Sequence, residues 1–188
     1  MVKVYKNWID NINTEKLINY VKNCNEKKWQ VKEHIPGNEF WEGRFINACD
    51  IEDKEIQQLL ITNRRAIIKE MKKVYKIEKE LYGDLVQFVR WPKGIELPPH
   101  ADAEQQDGSP HPLAWREYAS ITYLNDNFEG GNIYFPTRDN LSPTIEPGMT
   151  AFFPSTLEYL HGVKAVTEGV RYTIASFYTT NKHYHDGN

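Results

Sequence analysis

Residues 85–91, with the sequence LVQFVRW, begin a series of short runs rich in β-branched and aromatic residues that follows Gly83. Proline, glycine, asparagine and aspartate separate these runs, as is typical of strands joined by turns. Several such strands after a helical start predict two facing antiparallel sheets, a mainly β, jelly-roll-like barrel with helices on one side. The predicted strands are residues 85–91, 118–124, 132–135, 149–153, 162–166 and 171–179.

The preceding part of the chain, residues 1–83, is predicted to be a largely helical support region for this barrel. Helical patterns occur at 14–25 and, with a clear apolar spacing, at 52–75. The lysines of the second helix are interpreted as its solvated face. A chain of 188 residues is about the size of one domain. We therefore expect a single domain whose barrel core spans 84–180 and contains a long loop at 103–117.

Composition and charge argue against some classes of function. The formal net charge of -3 gives no electrostatic reason to expect a nucleic-acid partner. No apolar run is long enough to cross a bilayer, and the first residues lack a secretory signal, so we expect a cytoplasmic protein with no membrane partner. Cys24 and Cys49 form no CxxC motif, and the sequence leaves open whether they are paired. It also leaves the oligomeric state open.

Residues 97–102, with the sequence LPPHAD, carry two candidate metal ligands. In an extended segment residues i and i+2 project to the same face, so His100 and Asp102 can converge on one metal ion. An HxD triplet alone is a weak signal. His161, beyond two or three further strands, is the natural third ligand. Two imidazoles and one carboxylate that leave coordination positions open are typical of oxygen-activating Fe(II) sites.

Arg171 is the candidate anion-binding residue. It starts an alternating run, so Arg171, Thr173 and Ala175 are expected to share the inward face of a strand. A buried guanidinium is costly unless it is paired, and this strand contains no acidic residue. An anionic ligand is an attractive partner because the guanidinium fork suits a carboxylate. The alternative is that Arg171 faces solvent or a protein carboxylate.

Taken in order, these motifs resemble those of the 2-oxoglutarate and Fe(II)-dependent dioxygenases, and within them the prolyl 4-hydroxylase-like branch. The resemblance covers roughly the second half of the chain, and the ordered series is much more specific than any single motif. Its segments are QFVRWPKG (87–94), HAD (100–102), SITYLN (120–125), EGGNIYFP (129–136), IEPG (145–148), HGV (161–163) and GVRY (169–172).

The resemblance implies a double-stranded β-helix, a cupin-like barrel, in which His100, Asp102 and His161 bind Fe(II). It also implies that 2-oxoglutarate chelates the iron and that its distal carboxylate pairs with Arg171. Tyr123 matches the family tyrosine that hydrogen-bonds the same carboxylate; its alternative role is simply to line the barrel. Members of the family combine 2-oxoglutarate with dioxygen, release succinate and carbon dioxide, and hydroxylate a substrate. Ascorbate is a further candidate cofactor.

Two departures from the family pattern concern the pocket. Trp91 stands where many relatives carry a tyrosine, which replaces a hydroxyl contact with a larger apolar wall or stacking surface. Arg171 stands where collagen-type prolyl hydroxylases typically use lysine. The sequence therefore looks closer to the oxygen-sensor and bacterial prolyl hydroxylases. The resemblance implies that the substrate is a prolyl residue in a peptide or protein, with Trp91 as a candidate substrate contact.

The loop at 103–117 is long enough to act as a lid or a binding loop. Trp115 and Arg116 are candidates for closing over the substrate, and they are equally well explained as anchors of the loop. His111 in the same loop is interpreted as a solvated side chain and not as a ligand. The HxH sequence near the end of the chain is also left out of the site, because a polar tail is more often mobile than metal-bound.

Two other functions stay open at this point. The same chemistry could act on a free amino acid or another small molecule, including an alkylated base. The nucleic-acid version is disfavoured because demethylases of alkylated DNA carry a second arginine six residues after the cosubstrate arginine, where this chain has Phe177. The other function is a non-catalytic β-sandwich binding module, although such modules usually lose the ligands that this chain keeps.

Overall fold

The computed structural model describes residues 1–29 and 39–185. Within these ranges the chain forms two α-helices, α1 (Asn11–Lys22) and α2 (Lys54–Tyr75), and eleven β-strands. The strands are β1 (Lys3–Tyr5), β2 (Phe45–Asn47), β3 (Tyr82–Pro92), β4 (Leu97–His100), β5 (Tyr118–Tyr123), β6 (Glu129–Gly130), β7 (Ile133–Tyr134), β8 (Thr150–Pro154), β9 (His161–Val163), β10 (Val166–Glu168) and β11 (Val170–Thr179). Short 3-10 helices cover Glu26–Trp29, Glu39–Trp41, Ala48–Asp50, Leu157–Tyr159 and Lys182–Tyr184.

The order of the strands shows how the chain winds. A six-stranded antiparallel sheet has the order β1-β8-β5-β11-β3-β2, and a three-stranded antiparallel sheet has the order β4-β9-β7. A separate two-stranded ladder joins β10 to β6. From β3 onward the chain passes repeatedly from the larger sheet to the smaller one and back. This alternation is the jelly-roll-like arrangement that the sequence predicts.

The core lies on both sides of the larger sheet, because successive side chains of a strand point to opposite faces. On β3, Val89 and Trp91 face the smaller sheet and pack with Val163 of β9. Val86 and Phe88 of the same strand point the other way, where they pack with apolar residues of α1 and α2. The helices therefore cover the outer face of the larger sheet and leave its inner face to the site.

Helix α2 agrees closely with its predicted span. Asp53 caps it, since its side chain accepts hydrogen bonds from two backbone N–H groups of the first turn. This cap explains why the helix starts at Lys54, two residues after the predicted start. Its buried face contains Ile56, Leu60 and Ile67, which recur at helical spacing.

The differences from the prediction lie at element ends and sheet edges. Helix α1 begins and ends three residues before the predicted limits of 14 and 25. The side chain of Asp10 caps its N-terminus, which explains the earlier start. The single strand predicted at 162–166 is divided between β9 and β10. Region 1–83 also supplies β1 and β2, which join the two edges of the larger sheet. Each has three residues, too few to show an alternating pattern.

The loop and the cysteines can also be placed. Residues 103–117 contain no helix or strand, in agreement with the predicted long loop. Cys24 and Cys49 are both free thiols, which answers the question of their pairing. Among the described residues, no helix has the length and apolar character needed to cross a membrane.

Candidate active site

The candidate metal ligands meet where β4 ends and β9 begins. His100 is the last residue of β4, His161 is the first residue of β9, and the two are direct partners in the antiparallel register. Asp102 follows two residues after His100. Its Oδ1 lies 3.6 Å from His100 Nε2, and its Oδ2 lies 3.7 Å from His161 Nε2. The candidate ligand atoms all lie within 4.8 Å of one another, close enough to surround one ion.

Hydrogen bonds to backbone carbonyls select the nitrogen that each histidine presents to the site. His100 Nδ1 lies 3.0 Å from the carbonyl oxygen of Pro98, and His161 Nδ1 lies 3.2 Å from that of Tyr159. A carbonyl only accepts, so each Nδ1 carries the hydrogen and donates it. Each Nε2 is left with a free lone pair that faces Asp102. This is the arrangement that metal-binding histidines require.

Asp102 is the buried anion of the group. Burial by itself raises its pKa, but His161 and His100 outweigh that effect and hold the pKa of Asp102 below its usual value. Its Oδ2 accepts no hydrogen bond from the residues that the structure describes. A buried, ionised carboxylate with an uncommitted oxygen requires a cation nearby. Two neutral imidazole nitrogens beside it suit a divalent transition metal.

The two histidines differ in their electrostatic surroundings. Burial lowers the pKa of His161, so its ring is neutral at physiological pH. Burial also acts to lower the pKa of His100, but the hydrogen bond and charge of Asp102 outweigh it and raise that pKa. The side chain of His100 is 34% exposed, whereas that of His161 is 6% exposed. The metal group is therefore open to solvent on the side of His100.

Arg171 lies on β11 directly opposite Trp91 of β3. Its residue exposure is 1%, and its Nη2 donates a hydrogen bond of 3.3 Å to the hydroxyl of Tyr123. Nε and Nη1 have no acceptor among the described residues. Burial lowers the pKa of Arg171, which measures the cost of holding this charge away from water. Within the described part of the chain, Arg171 faces neither solvent nor a protein carboxylate, so a carboxylate ligand fits the free side of the fork.

The residues predicted to contact substrate are placed in two different settings. Trp91 is buried, and its ring lies 5.1 Å from the guanidinium carbon of Arg171. It therefore forms one wall of the anion pocket, the space beside the Arg171 guanidinium that a carboxylate would occupy. Arg116 Nε donates to Asp84 at 2.8 Å, and its charge is close enough to Asp102 to help lower the pKa of that residue. Trp115 stacks on Tyr184 at 4.1 Å, as an anchor between the loop and the C-terminal segment.

A cleft of about 380 Å³ opens beside His100, and loop 103–117 forms much of its wall. His111, which the sequence pattern does not place in the site, lines this cleft. It lies outside the metal group, in agreement with its exclusion as a ligand. Its Nδ1 accepts a hydrogen bond from the backbone N–H of Leu113, so its Nε2 carries a hydrogen that it can donate. No periodic pattern marks a residue of an irregular loop, so the sequence offers no signal for this position.

Two further buried polar side chains were not predicted from the sequence patterns. Gln87 is on the inner face of β3, four residues before Trp91, and its Oε1 has no hydrogen-bond partner among the described residues. Its alternation with Trp91 along the strand could have identified it. Arg44 is buried just before β2 and lies against the ring of Trp91. Because β2 is too short to predict, nothing in the sequence placed Arg44 inside.

Comparison with known families agrees with this geometry. The family model described as 2OG-Fe(II) oxygenase superfamily matches residues 86–179, which is half of the chain. The chain belongs to the 2OG-Fe(II) oxygenase superfamily. Fe(II) and 2-oxoglutarate, the expected metal and cosubstrate, are those that this family and the His–Asp–His group imply. The uncommitted Asp102 Oδ2 and the free N–H groups of Arg171 are the features of this oxygenase that fit them.

The relatives of this oxygenase include prolyl hydroxylases. Human prolyl 3-hydroxylase 1 is 43% identical over 74 residues, which cover 37% of this chain and 10% of that protein. The chain thus matches about a tenth of the length of these curated relatives.

Two solved structures resemble nearly the whole chain. A prolyl hydroxylase from Trichoplax adhaerens, in complex with a hypoxia inducible factor peptide fragment, has a TM-score of 0.73 at 18% identity and covers 97% of this chain and 85% of that one. The prolyl-4-hydroxylase of Pseudomonas putida has a TM-score of 0.66 at 17% identity and covers 95% of this chain and 91% of that one. Identities this low show the fold alone, and the predicted double-stranded β-helix is confirmed.

Proposed function

We propose that this oxygenase hydroxylates a prolyl residue in a peptide or protein. The observation that carries the proposal is the cleft beside His100, which opens the less buried side of the metal group to a substrate. The resemblance to proteins named as prolyl hydroxylases, in sequence over 37% of the chain and in fold over nearly the whole chain, supports the same substrate class.

In this proposal five residues of the barrel bind the metal and the cosubstrate. His100, Asp102 and His161 hold Fe(II), and Arg171 with Tyr123 holds the distal carboxylate of 2-oxoglutarate. When bound, the iron and 2-oxoglutarate supply the oxidation, in which dioxygen is consumed, succinate and carbon dioxide are released, and a C–H bond of the substrate becomes C–OH. The protein contributes position, because fixed ligands hold the reacting groups in one orientation.

The surrounding side chains control access and contacts. The apolar ring of Trp91 keeps water from the guanidinium of Arg171, which strengthens its attraction for a carboxylate. Arg116 lies near Asp102 and keeps N–H groups besides the one bound to Asp84. His111 lines the cleft and carries a hydrogen on Nε2 that it can donate. Both residues are assigned to the carbonyl groups of a peptide, since a peptide backbone offers acceptors at regular spacing.

The oxygenase assignment is tested by anaerobic titration of Fe(II) and 2-oxoglutarate, with the weak visible charge-transfer band of the chelate as the readout. We expect a band that requires both components in wild type and in His111→Ala, and no band in His161→Ala. His111→Ala is the matched control, because it removes an imidazole beside the metal group without removing a ligand. A normal band in a folded His161→Ala variant would remove His161 from the ligand set.

The substrate is tested by incubating the enzyme with Fe(II), 2-oxoglutarate, dioxygen and ascorbate in the presence of proline-containing peptides. Succinate formation that depends on the peptide, with a mass increase of one oxygen on proline, is the expected result. NMR of the product separates hydroxylation at C4, which the prolyl 4-hydroxylase-like order of motifs favours, from hydroxylation at C3, the position in the name of the sequence relative. Peptides that stimulate no succinate, alongside a free amino acid that does, would reject the peptidyl substrate and favour the small-molecule alternative.

A further inference from the structure

Arg44 is a second buried cation in the wall of the anion pocket. Only 5% of the residue is exposed, and its guanidinium carbon lies 4.4 Å from the centre of the Trp91 ring. Phe40 and Trp41 complete an aromatic cage at 4.0 and 5.1 Å. Trp91 is thus in contact with two guanidinium groups, because Arg171 also lies against its ring.

The hydrogen-bonding capacity of Arg44 is largely unused. Nη1 donates to the carbonyl oxygen of Phe40 at 3.0 Å, whereas Nε and Nη2 are buried and have no acceptor among the described residues. In the same part of the chain no carboxylate lies within ion-pair distance of Arg44. Burial and the nearby charge of Arg171 lower the pKa of Arg44 to about 10, so it stays protonated at physiological pH. Aromatic faces offset part of the cost of this charge, but they accept no directed N–H bond as a carboxylate does.

The charges of the expected iron and cosubstrate leave Arg44 without a partner. Fe(II) with Asp102 and two neutral histidines carries one net positive charge, and Arg171 carries another. The two carboxylates of 2-oxoglutarate balance these two charges. The positive charge of Arg44 is then the one left over, in a region from which water is largely excluded.

We propose that Arg44 binds a carboxylate of the substrate, so that this oxygenase selects substrates that carry an acidic group beside the position that is hydroxylated. The proposal rests on the proposed prolyl substrate for its choice of probes. A carboxylate can come from an acidic side chain in a peptide or from the terminal carboxylate of a free amino acid derivative. Both present the same planar pair of oxygens to the guanidinium fork.

The test compares matched pairs of probes that differ only in a carboxylate or its carboxamide. One pair is N-acetylproline and N-acetylprolinamide, and the other is N-acetyl-prolyl-glutamate amide and N-acetyl-prolyl-glutamine amide. Dissociation constants are measured by calorimetry, without oxygen, on protein saturated with Fe(II) and 2-oxoglutarate. The variants are Arg44→Gln, which removes the charge, and Arg44→Lys, which keeps it.

We expect the acid of at least one pair to bind wild type about tenfold more tightly than its amide. In Arg44→Gln this preference falls below about twofold, and Arg44→Lys keeps part of it. Preference in the first pair identifies a terminal carboxylate, and preference in the second identifies an acidic side chain. The dissociation constant of 2-oxoglutarate, read from the visible band, is expected to change less than about threefold in Arg44→Gln, which also shows that the variant is folded.

Three results would overturn the proposal. The first is that wild type prefers neither acid over its amide, or binds none of the probes measurably. The second is that Arg44→Gln keeps the preference for the acid, and the third is that Arg44→Gln binds 2-oxoglutarate much more weakly than wild type. The last result would assign Arg44 to the cosubstrate. Failure of the prolyl substrate is a separate observation. In that case an acid–amide difference would persist while peptide-dependent succinate formation is absent.

Discussion

Replacing Arg171 by methionine is expected to leave the free protein about as stable as wild type but to weaken its binding of 2-oxoglutarate strongly. In the free protein Arg171 is buried, and its nitrogens Nε and Nη1 find no acceptor among the described residues. Methionine fills similar space without a charge and tolerates irregular surroundings. The residue that looks central to the site is therefore expected to contribute little to the stability of the ligand-free fold.

The structure allows both effects to be given a magnitude. Each of the two buried, unpaired nitrogens of Arg171 costs about 1–3 kcal/mol. The contacts with the rings of Trp91 and Tyr123 return about 0.5–2 kcal/mol, and the hydrogen bond to Tyr123 returns about 1 kcal/mol. At the middle of these ranges the cost exceeds the return by about 2 kcal/mol, so the free variant should be as stable as wild type or slightly more stable. Loss of the charged partner of a buried carboxylate costs about 2–5 kcal/mol of binding, a factor of about thirty to several thousand.

Thermal unfolding of the Fe(II)-loaded protein without oxygen measures both effects together. At 2-oxoglutarate concentrations about 100 times the dissociation constant, wild type gains about 2.7 kcal/mol, or roughly 5–11 °C for a chain of this size. Arg171→Met should gain less than about 1 kcal/mol at the same concentration, which is no more than about 2–3 °C. Tyr123→Phe removes one hydrogen bond only and should lose no more than about tenfold in affinity. The reasoning fails if the free Arg171→Met protein is several kcal/mol less stable yet keeps the wild-type shift with 2-oxoglutarate.

Three further predictions concern the metal side of the site. Gly162→Ala should cost about 1–3 kcal/mol of stability and weaken Fe(II) binding, because the new Cβ would lie 2.8 Å from a carbonyl oxygen of β4. Denaturant unfolding measures the stability and iron titration measures the affinity; if both are unchanged, the close approach of Gly162 to β4 does not position the metal ligands. Asp84→Asn should weaken peptide binding severalfold and leave 2-oxoglutarate affinity unchanged, since it releases only Arg116; equal effects on both ligands, by calorimetry, would contradict this. His100 must be neutral to bind metal, and Asp102 raises the pKa of His100. Fe(II) affinity should therefore fall about tenfold per pH unit below that raised pKa; an Fe(II) affinity that stays constant from pH 8 to 6 in anaerobic titrations would refute this pH dependence.

The barrel strands and the metal ligands could be predicted from the sequence, because strand burial and metal binding restrict both the residue types and their spacing. A strand covered on its two faces, such as β3, needs mostly apolar residues, and an HxD pair on an extended segment places both ligands on one side. The position of His161 follows from the ordered motifs that surround it. Its pairing with His100 across two strands is the geometric result of that order.

The missed features depend on contacts between distant segments. Strands β1 and β2 are defined by partners on β8 and β3, and not by a pattern in three residues. Arg44 lies just before β2, and its burial follows from the aromatic residues that the fold gathers around it. His111 reaches the cleft through the course of an irregular loop. Local sequence patterns carry no information on any of these three arrangements.

The uncompensated charges of the free protein point to a common explanation. Asp102 Oδ2, two nitrogens of Arg171 and two of Arg44 are buried and lack hydrogen-bond partners among the described residues, although buried polar groups are rarely left unpaired. Arg171 and Arg44 share the ring of Trp91, so these unpaired charged groups lie close together. Unpaired buried charges that lie together are expected where a ligand completes the structure. Each charge then specifies its partner: a cation for Asp102, the distal carboxylate of 2-oxoglutarate for Arg171, and a substrate carboxylate for Arg44.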